Sequence, residues 1–61
     1  MWTVVYMVHN KVDANRIQSL LMNEGFLVKL RSIGRDEEGV FEVLVPNGEV
    51  EEAHEVLVNF Q

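Results

Sequence analysis

The chain has no cysteine, a single proline, and five basic residues against ten acidic ones. Without cysteine there is no disulfide framework and no thiolate metal site. The shortage of Lys and Arg leaves a formal net charge of −5. That disfavours nonspecific binding to nucleic acid or to an anionic membrane, both of which draw on clustered cations. No apolar run approaches the ~18 residues that a membrane-spanning helix requires. The apolar opening Trp2 to Val8 has no basic region before it and no small-residue cleavage site after it, so it does not read as a signal peptide. The expectation is a cytoplasmic protein with neither nucleic acid nor membrane among its partners.

What is present fits one small folded domain, residues 1–61, with 48% hydrophobic residues. A chain this short buries only about 60% of its unfolded surface, so its core is marginal. Tight packing or self-association must supply the remaining stability.

Residues 2–8 are mostly β-branched and aromatic and read as a strand. Strict alternation puts Trp2, Val4, Tyr6 and Val8 on one face and Thr3, Val5, Met7 and His9 on the other. Both faces are apolar, as in a strand covered on two sides. Asn10 is a helix N-cap, with Asp13 in the first turn where the dipole favours an anion. Ala14, Ile17 and Leu21 recur at helical spacing with Leu20 beside them, and Gly25 ends the helix, predicted at 11–24. A Schellman end would fold Phe26 back on Leu21.

Residues 26–33 alternate as a second strand, with Phe26, Val28 and Leu30 on one face and Leu27, Lys29, Arg31 and Ile33 on the other. The polar loop 34–39, bracketed by glycines, leads to a third strand at 40–45. A hairpin pairing Ile33 with Val40 sets Arg31 opposite Glu42 and Lys29 opposite Leu44, and matches core residues with core residues. Pro46 ends that strand. Asn47 or Gly48 then caps a second helix at 49–59, whose stripe is Val50, Ala53, Val56, Leu57 and Phe60.

The order β-α-β-β-α defines the architecture. Two amphipathic helices must cover one face of a three-stranded sheet. A right-handed crossover from the first strand to the second leaves a gap that the third fills. The prediction is an α+β, ferredoxin-like antiparallel sheet of order 1-3-2, with two helices on one face and no fourth strand. The first strand keeps a free edge. The face away from the helices carries Leu27, Ile33, Val40 and Leu44, with Val5 and Met7 by this alternation. A large exposed apolar patch marks an interaction site.

The strings TVVYMVHN, LLMNEGF, and EVLVP followed by EVEEAHEVL resemble a family of very short bacterial signal-transducing proteins with a fold like the nitrogen-regulatory PII proteins. The likeness spans nearly the whole chain and implies the same fold and a regulatory role. Its motifs are structural punctuation and carry no site residues across. Some look-alikes are labelled glutamate decarboxylase. That activity does not fit, because a pyridoxal-phosphate enzyme needs a Schiff-base lysine, a phosphate cradle and a closed pocket. The only lysines, Lys11 and Lys29, start a helix and sit on an open sheet face. No cofactor is expected.

Three of the five basic residues, Lys29, Arg31 and Arg35, fall within seven positions. They suggest a site for a small anionic metabolite or nucleotide. The plainer alternative pairs Arg31 with Glu42 across the hairpin. His9, just before a helix N-terminus, is a further candidate for anion contact, or simply a residue flanking the cap. His54 with Glu51 suggests a metal pair, but no further ligand is fixed nearby and a solvated helix face explains both. Trp2 and Tyr6 on one strand face suggest base stacking, which the acidic balance opposes. No nucleophile–base grouping stands out, so an enzyme ranks last. The sequence therefore reads as a small regulatory or interaction module without catalytic activity, self-associating through its sheet face or free edge, with an anion sensor as the alternative.

Overall fold

The computed structural model describes residues 1–34 and 39–60. Its elements are β1 (Trp2–Val8), α1 (Lys11–Asn23), β2 (Lys29–Ile33), β3 (Val40–Pro46), a single 3₁₀ turn (Asn47–Glu49) and α2 (Val50–Val58). The sheet is three-stranded and antiparallel, in the order β1-β3-β2. One buried cluster joins Val8 of β1, Ala14, Ile17 and Leu21 of α1, Val43 and Val45 of β3, and Ala53 and Leu57 of α2. Both helices therefore lie on the same sheet face, and the ferredoxin-like arrangement holds.

Local chemistry sets the helix ends. The Asn10 side chain accepts the Asp13 N–H at 2.7 Å, and its amide donates to the Asp13 carboxylate at 3.0 Å. The first bond satisfies one backbone donor that an uncapped helix leaves open, and the second ties the two side chains together. At the other end Phe26 N–H donates to Leu21 O, and Gly25 N–H to Met22 O, both at 3.0 Å. These are the two bonds of a Schellman motif. Gly25 takes φ +97°, a conformation that a side chain resists.

The hairpin register is the one the alternation requires: Ile33 with Val40, Arg31 with Glu42, Lys29 with Leu44. The second strand starts at Lys29, three residues later than alternation alone predicts. In this register Leu27 would face Pro46, which brings no N–H to the ladder. Phe26 and Val28 still pack against the core.

Two local expectations change. First, β1 does not alternate strictly. Val4 pairs with Leu44 and Tyr6 with Val43, so Val5 is an extra residue in a β-bulge. The bulge turns Val5 and Tyr6 both toward the helix side, where each packs on the core cluster. Val5 is therefore not on the outer face, although Met7 is. Second, Asn47 does not cap the second helix by its side chain. Its N–H donates to Met1 O at 3.0 Å, and its side-chain oxygen accepts the Thr3 hydroxyl. Asn47 thus ties β1 to the end of β3, and α2 grows out of the 3₁₀ turn with no side-chain cap.

Candidate functional site

The face away from the helices is built in rows across the three strands. Val4, Leu44 and Lys29 lie side by side, then Met7, Glu42 and Arg31, with Trp2 beside Pro46 at one end and Val40 beside Ile33 at the other. Trp2 is 44% exposed, Met7 48% and Leu27 63%. Val4, Ile33 and Val40 are half-buried. This is a mixed surface of apolar side chains around a few charges.

Those charges are engaged with their neighbours. The Arg31 guanidinium donates to Glu42 Oε1 through Nε at 2.7 Å, with Nη2 at 2.5 Å from the same oxygen. Lys29 Nζ stands 5.5 Å from the centroid of the Trp2 ring. Lys29 is on one outer strand and Trp2 on the other, so their tips meet over the central strand. Leu44 lies between Val4 and Lys29 in that central strand and is only 3% exposed, although it stands apart from the helix-side cluster. The Lys29 stem is apolar and covers carbon surface while its ammonium stays wet. A leucine on the open face is thereby taken out of water without help from a helix.

Of the residues named for an anion site, Lys29 and Arg31 stay together on the outer face of β2. Arg31 sits on β2 with its guanidinium on Glu42, and Lys29 leans toward Trp2. His9 is exposed just past the end of β1, on the opposite edge of the sheet, where its backbone approaches Gly39: a Cβ there would come 3.5 Å from the His9 carbonyl oxygen. Arg35 lies outside the described residues. Trp2 and Tyr6 part company as well, because the bulge separates them. Tyr6 meets Phe60 edge-on on the helix side, with centroids 6.4 Å apart and planes at 68°. Among the described residues no three His, Asp or Glu side chains gather as metal ligands. No helix among them is long and apolar enough to cross a membrane.

On the other side of the sheet, an open groove of about 1050 Å³ runs between α1 and α2. Leu20, Phe26, Val56 and Phe60 supply its apolar surface. The helical period put Val56 and Phe60 in the buried stripe of the second helix and Leu20 beside that of the first, but all four are only half-buried. The groove exists because both helices pack chiefly on the sheet rather than on each other. Periodicity alone does not report the spacing between two helices.

Comparison with family models, curated proteins and solved structures finds no match to this chain.

Proposed function

We propose that the chain is a non-catalytic regulatory or interaction module of the bacterial cytoplasm that works as a homodimer, joined along the β1 edge with the adjoining outer sheet face. The observation that carries this is the contrast between the two sheet edges. Edge strands template pairing with other chains unless they are short, charged or interrupted. β2 is five residues long and carries Lys29 and Arg31. β1 is seven residues long, WTVVYMV, without a charge. The bulge at Val5 is its one protective feature.

The face alone is too small for the task. Three strands about 4.8 Å apart and seven residues long cover on the order of 300 Å². Stable complexes bury about 800 Å² on each side. Edge pairing supplies the missing part through main-chain hydrogen bonds and joins the two patches around Trp2 and Met7. The regulatory assignment draws on the family likeness in the sequence. An anion sensor is the weaker reading, because Arg31 and Lys29 are already engaged.

Light scattering over a concentration series tests the proposal. A micromolar dimer is expected, strengthened by added salt, since each copy carries −5 and screening relieves the repulsion. Met7→Lys should weaken it about tenfold or more, because it places a charge in the joint. Met22→Lys, exposed on α1, should leave it unchanged. A monomer persisting at several hundred micromolar refutes the proposal, as does equal weakening by both variants.

A further inference from the structure

The helix-side groove lies on the other side of the sheet from the outer face, and its chemistry is different. Among the described residues its apolar floor is flanked by three carboxylates, Glu24 from the end of α1 and Glu52 and Glu55 from α2, and by one cation, Arg16. Arg16 is engaged within the chain: Nη1 lies 3.9 Å from Asp13, and the guanidinium carbon stands 5.9 Å from the Phe60 ring centroid. The groove therefore presents a negative margin over aromatic carbon, and one aromatic face in it already accepts a cation from the protein's own chain.

We infer that this groove docks a cationic amphipathic segment of another protein, its apolar side chains against Leu20, Phe26 and Val56 and its Lys or Arg side chains against Glu52 and Glu55. Charge complementarity selects the occupant. A second copy would bring the same acidic helix face and be repelled, and nucleic acid is excluded by the same sign. A small molecule fits poorly, because enclosing pockets bury most of their ligand and this groove is open along one side. An amphipathic helix needs no enclosure. It lays its apolar stripe into a groove and leaves its polar face in water.

The test titrates the full chain with a Leu/Lys amphipathic helical peptide while amide shifts are followed, with its Leu/Glu counterpart and spermine as controls. Saturable shifts at Ser19, Leu20, Asn23, Glu52 and Val56 with the Lys peptide alone are expected. Glu52→Gln with Glu55→Gln should weaken binding about fivefold, as for loss of two exposed ion pairs. Arg16→Gln should tighten it about twofold, because it removes a cation competing for the groove. A merely structural Arg16 would give no tightening. No saturation at millimolar peptide overturns the inference. So do equal binding of the Leu/Glu peptide, equal binding of spermine, and shifts confined to Trp2, Met7 or Arg31 on the outer face. Shifts at the groove amides on diluting Met7→Lys, whose β1 dimer is weakened, would assign the groove to a second copy and overturn it too. The β1 dimer is read separately by its mass, so either proposal can fail alone.

Discussion

Leu44→Ala is the substitution that most directly tests how the open sheet face is organised. Leu44 belongs to the outer side of β3, yet it is 3% exposed because Val4 flanks it and Lys29 and Trp2 meet above it. Truncation to alanine removes three carbons, which at ~0.8 kcal/mol each amounts to about 2.4 kcal/mol of lost transfer free energy. A rigid core would add a further cavity cost, but here the cover includes a flexible lysine stem that can settle into the space. The expected destabilisation is therefore about 2–3 kcal/mol, toward the low end for a buried leucine. A 61-residue chain holds only about 3–9 kcal/mol in total at typical stability per residue. The variant should lose about 10–20 °C in melting temperature. Urea unfolding followed by circular dichroism, at a protein concentration below any self-association, measures the effect as a drop in midpoint at constant slope. Leu27→Ala is the matched control: at 63% exposure it should change stability by less than about 0.5 kcal/mol. A Leu44→Ala cost below about 1 kcal/mol, or equal costs for the two leucines, would mean that Lys29 and Trp2 do not close over the central strand in solution.

Two further predictions concern the ends of α1. Asn10→Ala removes the side chain that accepts the Asp13 N–H and should cost about 1 kcal/mol in thermal unfolding, whereas Asn10→Asp keeps an acceptor and should cost far less. Gly25→Ala should cost about 1 kcal/mol although nothing lies within 4 Å of the added carbon, because φ +97° itself resists a side chain. Gly48→Ala is the comparison, equally free of neighbours and without the positive φ, and should be close to neutral by the same measurement.

Much of this protein was legible in its residues because the decisive signals are local. Asn10 with Asp13, and Gly25 with Phe26, are contacts between neighbours in the chain, so they can be read before any tertiary structure is known. The hairpin register followed from matching two alternating strands, and Arg31 met Glu42 as the plainer reading required. The core stripes Ala14, Ile17, Leu21 and Ala53, Leu57 followed from the helical period.

Other features depend on the sheet itself. A strand apolar on both sides hides its own phase, so nothing in WTVVYMV announced that Val5 would be the extra residue and put Met7, in place of Tyr6, on the face of Trp2 and Val4. Asn47 looked like a cap because Asn often is one; its partners Met1 and Thr3 are distant in sequence and came beside it only through the β1–β3 ladder. Likewise Lys29 was counted as a free cation and Leu44 as an exposed leucine. Each changed character when the outer strands brought Lys29 and Trp2 together over the central one. Local pattern therefore determined the elements, their order and their ends. Tertiary structure decided which side chains face water, which charges are free and how far apart the two helices stand, because these depend on neighbours that the chain meets only after it has folded.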